Sequence, residues 1–291
     1  MKVLVACEES QRVCTAFREL GHEAYSCDIQ ECSGGHPEWH ILGDVLPLIN
    51  GNCEFITMDG TKHTIDGKWD LLIAHPPCTY LSNAGAARLF PKKGLMDVSR
   101  YKKGLEAKNF FMRFYNADCD KICIENPVPT RIYELPKYSQ IIQPFEHGHP
   151  YSKKTCLWLK NLPKLFPTEI ITENIISWVS GGSKDFHGNQ RKQSGTKIRD
   201  SKQKSKTFPG IARAMAEQWG GQEKSIPIIK LTDTDGIESN LDINAVAEVV
   251  SNNGSGAYIH LITGEKISVR ETGLNVMQKI VNARFGICQN H

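Results

Sequence analysis

The sequence predicts an α/β protein in two parts, a doubly wound, mostly parallel sheet followed by a small α+β module. Short hydrophobic segments alternate with helix-like segments over the first half of the chain, and this alternation is typical of a parallel sheet with helices on both faces. The end of the chain changes to closely spaced strand and turn signals. We therefore assign residues 1–222 to the sheet domain and residues 223–291 to a β-rich module.

The alternation begins with a buried strand and an amphipathic helix. The run from Lys2 to Ala6 consists largely of Val and Leu, as expected for a strand that is covered on both faces. In the helix that follows, Ser10 is the predicted N-cap and Gly21 the C-terminal stop. The predicted buried face of this helix consists of Val13, Ala16, Phe17 and Leu20.

The rest of the sheet domain continues the alternation of predicted strands and helices. The predicted strands run over residues 23–29, 69–74, 121–125 and 157–163, and residues 43–46 end a short third connection. The predicted helices cover residues 101–117, with Leu105, Phe110, Phe111 and Phe114 buried, and residues 211–219, with Pro209 in the first turn and Thr207 or Phe208 as the cap.

The C-terminal module reads as strands joined by tight turns. The predicted strands cover residues 228–232, 257–262 and 267–269, with turns at Asp235-Gly236 and Thr263-Gly264. A final helix over residues 273–284 has Val276, Met277 and Ile280 as its expected apolar stripe.

The composition and the N-terminal sequence indicate where in the cell the protein is expected. The chain has 291 residues, of which 40% are hydrophobic, and no segment approaches the ~18 apolar residues of a membrane span. The N-terminal sequence lacks signal-peptide features, so we expect a cytoplasmic protein with no membrane partner. In that compartment the ten cysteines stay reduced. No metal site is predicted, because the grouping of His22, Cys27, Cys32 and His36 matches no paired metal-ligand spacing.

The net charge of +3 is unevenly distributed. Residues 163–206 form a short basic region, and its second half combines many lysines and arginines with few apolar residues. Such a segment suits either a solvated linker or a loop that contacts the phosphates of a nucleic acid. In the second case, Arg191, Lys192 and Arg199 are the residues that we assign to DNA contact.

Residues with acidic or nucleophilic side chains follow several predicted strands, at the edge of the sheet where α/β proteins bind ligands. Asp28 ends the second strand, at the offset typical of a carboxylate that holds ribose hydroxyls. Cys78 follows the strand over residues 69–74, and two prolines stiffen the backbone just before its thiol. Glu8, Asp44 and Glu125 complete the series, and helix capping or solvated turns are the structural alternatives for these carboxylates.

Three segments together resemble DNA cytosine-5 methyltransferases, and more closely their short phage-encoded members. Pro76-Pro77-Cys78 resembles the proline-cysteine nucleophile loop of the family, and Glu125-Asn126-Pro127 resembles its Glu-Asn-Val motif. Residues 148–155 resemble its Gly-x-Pro-Gln-x-Arg-x-Arg motif. The resemblance covers residues 1–220 and implies a Rossmann-like fold, S-adenosylmethionine as cofactor, double-stranded DNA as partner, and the cytoplasm of a phage host as location.

The resemblance also implies roles for individual residues. Cys78 adds to C6 of a flipped cytosine while Glu125, with its pKa raised by a dry pocket, protonates N3. The implied cofactor-binding residues are Ala6, Glu8, Ser10, Asp28, Ile29, Asp44 and Pro76. The implied base-binding and DNA-binding residues are Asn126, Tyr151, Lys153 and Thr155, together with the three basic residues named above.

Two departures from the family pattern keep other functions open. No glycine lies between Ala6 and Leu20, and Thr155 stands where the family has its second arginine. A catalytically inactive DNA-binding regulator or decoy is therefore one alternative. The other is an amino-methyltransferase acting on adenine N6 or cytosine N4, because His75-Pro76-Pro77 resembles the Asp-Pro-Pro-Tyr loop of those enzymes. The C-terminal module resembles the FlbD-like family of short flagellar-operon proteins, which indicates a fold unit and no activity.

Overall fold

The computed structural model describes residues 1–86, 88–92, 94–178, 201–221, 228–252 and 256–285. The chain divides into two compact units, Met1–Gly221 and Gln222–His291. This division falls next to the boundary expected from the sequence.

The N-terminal unit is built on one seven-stranded mixed sheet. The strands described in this unit are β1 (Lys2–Ala6), β2 (Glu23–Asp28), β3 (His40–Leu42), β4 (Cys53–Ile56), β5 (Lys62–Ile65), β6 (Leu71–Ala74), β7 (Ile122–Pro127), β8 (Gln140–Ile142), β9 (Tyr151–Ser152), β10 (Thr155–Lys160) and β11 (Ile176–Ser177). The order in the large sheet is β3-β2-β1-β6-β7-β10-β8. The first five strands are parallel, and β10 runs antiparallel to both of its neighbours.

Helices cover both faces of this sheet. The helices of the unit are α1 (Arg12–Glu19), α2 (Asn83–Ala86), α3 (Val98–Tyr115), α4 (Ser201–Ser205) and α5 (Pro209–Trp219), with single 3₁₀ turns at Pro37–Trp39, Arg131–Tyr133 and Pro144–Glu146. On one face, Phe111 and Phe114 of α3 belong to the same buried cluster as Leu4 of β1. On the other face, α1 and α5 bury Phe17 and Met215. The α/β class with helices on both faces is therefore confirmed.

Several predicted details of the N-terminal unit are wrong. Ser10 is not the N-cap of α1, because Gln11 occupies that position while the Glu8 carboxylate accepts hydrogen bonds from the first amides of the helix, and Leu20 is 47% exposed. Leu105 of α3 is also exposed. Strand β3 and the β4–β5 hairpin were not predicted. In the hairpin, Cys53–Ile56 and Lys62–Ile65 alternate only weakly between buried and exposed residues.

The C-terminal unit combines small sheets with one helix. Its described elements are β12 (Ile228–Thr232), β13 (Glu238–Asp242), the 3₁₀ turn Ile243–Ala245, β14 (Val246–Ser251), β15 (Ala257–Leu261), β16 (Lys266–Val269) and α6 (Gly273–Phe285). Strands β12 and β13 form a hairpin, and β14, β15 and β16 form an antiparallel sheet. Val276 and Ile280 of α6 are buried as predicted, whereas Met277 is 49% exposed. Strands β13 and β14 were not predicted.

In the described part of the chain, no helix has both the length and the apolar character needed to cross a membrane.

Candidate active site

The cysteine loop follows β6 and is fixed by backbone hydrogen bonds. The amides of Leu81 and Ser82 donate to the carbonyl oxygen of Cys78, at 3.2 and 3.0 Å, so the chain turns sharply after the thiol. The side-chain amide of Asn126 donates to the Pro76 carbonyl at 2.8 Å. The Cys78 side chain is half-buried in this loop. The prolines and these bonds together hold its thiol at the carboxyl edge of the sheet.

Helix α3 holds the segment after Cys78 in place. The guanidinium of Arg100 donates to the carbonyl oxygens of Thr79 and Gly85, each at 3.0 Å. Its central carbon also lies 4.9 Å from the centre of the Tyr80 ring, a cation–π contact. A Cβ at Gly85 would lie 2.3 Å from the Thr79 carbonyl oxygen, so this close approach requires glycine.

The carboxylate predicted as the acid forms a buried pair with a histidine. Nδ1 of His75 lies 2.7 Å from Oε2 of Glu125, and the two side chains are only 11% and 10% exposed. Burial raises the pKa of Glu125, but the hydrogen bond from His75 and the charges of Lys153 and His75 outweigh it and leave this pKa below its ordinary value. The raised pKa expected for Glu125 is therefore wrong for this arrangement.

Lys153 places a positive charge beside the thiol and the acid. It lies in the turn between β9 and β10, and its ammonium donates to the Lys204 carbonyl at 3.2 Å. Burial and the charge of Glu125 raise the pKa of the Cys78 thiol, whereas the charge of Lys153 lowers it. Cys78, Glu125 and Lys153 are thus close enough to act on one another electrostatically.

A small cavity of about 10 Å³ lies at Glu125 and Lys153. Its walls are formed by Glu125, Lys153, Thr155, Thr207, Phe208 and Ile211. Two of the predicted base-binding residues, Lys153 and Thr155, line this cavity. A third, Asn126, instead connects the end of β7 to the loop after β6. Tyr151 is turned into an aromatic cluster, with its ring 4.7 Å from Trp178 and 5.7 Å from Phe208. Arg191, Lys192 and Arg199 lie outside the described residues.

A larger cavity of about 450 Å³ opens beside the carboxyl ends of β1 and β2. Five of the seven predicted cofactor residues line it, namely Glu8, Ser10, Asp28, Ile29 and Asp44. Ala6 does not, because it is fully buried within β1, and Pro77 lines the cavity in place of Pro76. Thr207 belongs to the walls of both cavities, which therefore adjoin.

Most wall residues of the larger cavity were not among the predicted site residues, and Lys206 and Phe110 are two of these. Lys206 lies 3.7 Å from a carboxylate oxygen of Glu9 and donates to the Ser33 hydroxyl at 2.8 Å. Phe110 of α3 supplies an apolar surface. The pairing of Glu9 with Lys206 is a contact between positions far apart in the chain, and no local pattern signals it.

The donor set of the larger cavity fits S-adenosylmethionine better than a phosphate-bearing cofactor. Glu8, Glu9, Asp28 and Asp44 supply carboxylates, whereas the basic side chains of the wall are those of Lys206 and His75. Carboxylates attract a sulfonium and an ammonium group and accept hydrogen bonds from ribose hydroxyls, but they repel a pyrophosphate. Asp28 and Asp44 each use one carboxylate oxygen to bind a backbone amide two residues on, at 2.9 and 3.0 Å.

No protein-family model matches this chain, and a comparison with curated proteins likewise finds no relative. Within the described ranges, no group of three or more His, Cys, Asp or Glu side chains is arranged to hold a metal ion.

Proposed function

We propose that the N-terminal unit is an S-adenosylmethionine-dependent DNA methyltransferase that modifies C5 of a flipped cytosine through a covalent adduct with Cys78. One observation carries this proposal. Glu125 and Lys153 share a cavity wall, and the Cys78 thiol lies close enough for both charges to affect its pKa, next to an acidic cavity. These are the groups needed to attack a pyrimidine ring, to protonate it and to balance the charge that develops.

The strand order supports a Rossmann-like methyltransferase fold. Along the large sheet, β3-β2-β1-β6-β7 place the third, second, first, fourth and fifth sheet strands side by side, as in nucleotide-binding doubly wound sheets. The larger cavity lies where that architecture binds its ligand, beyond the carboxyl ends of β1 and β2. The antiparallel β10 follows β7 in the sheet and leads away from the turn that carries Lys153.

Each residue of the cluster has a distinct task in the proposed reaction. The Cys78 sulfur, after losing its proton, forms a bond to C6 of the cytosine, and N3 gains a proton through Glu125. Lys153 stabilises the thiolate before the attack. When bound, S-adenosylmethionine supplies a methyl group on a sulfonium, which C5 accepts. Loss of the C5 proton and cleavage of the C6–S bond then release the product and the thiolate.

The target base must leave the DNA helix for this chemistry. C6 and N3 are inaccessible to a thiol and an acid inside the base stack, so the base has to enter the protein. The small cavity lies at Glu125, Lys153 and Thr155, and it adjoins the larger cavity through Thr207. At about 10 Å³ the small cavity does not hold a base, so it has to widen at these residues for base and methyl donor to occupy neighbouring sites. Thr155 is too short to replace an arginine, so Lys153 is the basic residue assigned to the base.

Incubation with labelled S-adenosylmethionine and DNA containing 5-fluorocytosine tests the proposal. Fluorine at C5 cannot leave as a proton, so the expected result is a trapped, labelled protein–DNA adduct that is absent in Cys78→Ser. The matched control is Cys32→Ser, since Cys32 is also partly exposed but belongs to neither cavity wall. Label on ordinary DNA that survives Cys78→Ser would instead indicate amino-methylation. DNA binding with neither adduct nor label transfer would overturn the proposal in favour of a binding protein.

A further inference from the structure

His75 has no role in the chemistry described so far, yet it contacts the acid directly. Its Nδ1 lies 2.7 Å from Glu125, and the residue also lines the larger cavity. The other ring nitrogen, Nε2, is buried and has no hydrogen-bond partner among the described residues. Three charged groups act on the imidazole: Glu125 from β7, Glu8 from the loop after β1, and Lys153 from the turn before β10.

In this arrangement the carboxyl group of Glu125 releases its proton more readily than an ordinary glutamate does. The hydrogen bond from His75 and the charges of Lys153 and His75 hold the pKa of Glu125 low despite its burial. Burial lowers the pKa of His75, but Glu125 and Glu8 outweigh that effect and raise this pKa above 6.5. When the pair holds a single proton, that proton therefore resides on the imidazole rather than on the carboxylate.

We propose that His75 is the proton source for Glu125 when the base is attacked, an inference that rests on the proposed methyltransferase function. As the Cys78 sulfur bonds to C6, the Glu125 carboxylate takes the Nδ1 proton of His75 and delivers it to N3. One N–H bond forms, one N–H bond breaks, and Glu125 is a carboxylate before and after. When the C6–S bond breaks, the N3 proton returns by the same route.

This role is distinguishable from simple support of Glu125 by a hydrogen bond. In His75→Asn, the side-chain amide can donate to Glu125 in the manner of Nδ1, but it has no proton to give up. If His75 only positions the carboxylate, this variant keeps both the rate and its pH dependence. If His75 supplies the proton, the amide restores the geometry and not the reaction.

The pH profile of single-turnover methylation, measured from about pH 5 to about pH 9, separates these cases. In the wild type, the gain in Cys78 thiolate with rising pH is cancelled above the His75 pKa by loss of the imidazole proton, so the rate levels off. In His75→Asn we expect a rate about 100-fold lower at neutral pH that continues to rise with pH. A His75→Asn profile with the wild-type rate and plateau would overturn the inference while leaving the proposed function intact.

A second measurement does not depend on methyl transfer. The NMR titration of the His75 ring in the wild type and in Glu125→Gln reports whether the two groups share a proton, and we expect a lower His75 pKa in the variant. An unchanged titration would overturn the inference. His260→Asn, in the C-terminal unit, is the control for loss of a histidine. Absence of adduct and methyl transfer in the wild type would overturn the proposed function, and the inference with it.

Discussion

The side-chain amide of Asn126 donates a hydrogen bond of 2.8 Å to the carbonyl oxygen of Pro76. This bond joins the end of β7 to the loop after β6, and Asn126 is 1% exposed. The residue before Asn126 is the proposed acid, and the second residue after Pro76 is the proposed nucleophile. The distance between these two side chains therefore depends on a bond that neither of them makes.

We expect Asn126→Ala to lower both the stability of the protein and the rate of methyl transfer. Loss of the amide leaves the Pro76 carbonyl without its partner, which costs about 1–3 kcal/mol of unfolding free energy. A misplaced acid and thiol reduce the single-turnover rate by about 100-fold. Chemical denaturation and adduct formation measure the two effects. Asn116→Ala, at the exposed end of α3, is the control, and equal effects of both variants on the rate would contradict the prediction.

Arg100 provides a test of whether the segment after Cys78 must be held rigid. Arg100→Ala removes two hydrogen bonds, to Thr79 and Gly85, and the contact with Tyr80. We expect faster hydrogen exchange in residues 79–86 and slower adduct formation, with a loss of unfolding free energy of only about 1 kcal/mol. Arg113→Ala on the same helix is the control. Unchanged exchange in this segment would show that Arg100 does not restrain it.

The reactivity of Cys78 should respond in opposite directions to its two charged neighbours. The charge of Lys153 lowers the pKa of the Cys78 thiol and the charge of Glu125 raises it. Lys153→Met should therefore move the pH midpoint of Cys78 alkylation upward, and Glu125→Gln should move it downward. Peptide mass spectrometry after iodoacetamide treatment at several pH values follows Cys78 separately from the other cysteines. Lys154→Met is the control, and shifts in the same direction for both variants would refute this electrostatic arrangement.

The sequence sufficed to predict the alternation of the N-terminal unit because its central strands are continuous runs of buried residues. β1 and β6 are recognisable in this way, and α5 begins after Phe208 with Pro209 in its first turn. The hairpin of β4 and β5 was missed because its strands are short and partly exposed. Such strands depend on packing against the rest of the fold, which a local pattern does not contain.

The candidate site was predictable where a residue with a suitable side chain lies at the end of a strand. Cys78, Glu125 and Lys153 belong to short motifs, and the topology brings them together as the motif order suggests. The partners that set their protonation were not predictable. His75 and Glu125 are 50 residues apart in the chain, and their contact follows from the pairing of β6 with β7. The same reason explains why Glu9 and Lys206 were missed, since only the folded chain brings them together.

Glu8 illustrates a structural role at a position assigned to the cofactor. Its carboxylate accepts hydrogen bonds from the amides of Val13 and Cys14, at 2.7 and 3.1 Å, and so satisfies amides of the first turn of α1, which begins after Gln11. Glu8 also lines the larger cavity. A variant at this position therefore affects stability before it affects binding, and the two effects have to be measured separately.

We expect Glu8→Ala to lower the unfolding free energy by about 1–2 kcal/mol, whereas Glu8→Gln keeps one acceptor oxygen and loses less. Burial raises the pKa of Glu8 above its ordinary 4.5, although the charge of His75 and the two amides oppose this. The folded protein thus binds the Glu8 proton more tightly than the unfolded chain, and this contribution to stability is lost as pH rises from 4.5 through the raised pKa. Denaturant unfolding across this range should show that decline in the wild type and not in Glu8→Gln. Glu19→Gln, exposed at the other end of α1, should behave as the wild type, and an equal decline in Glu8→Gln would assign the pH dependence to another group.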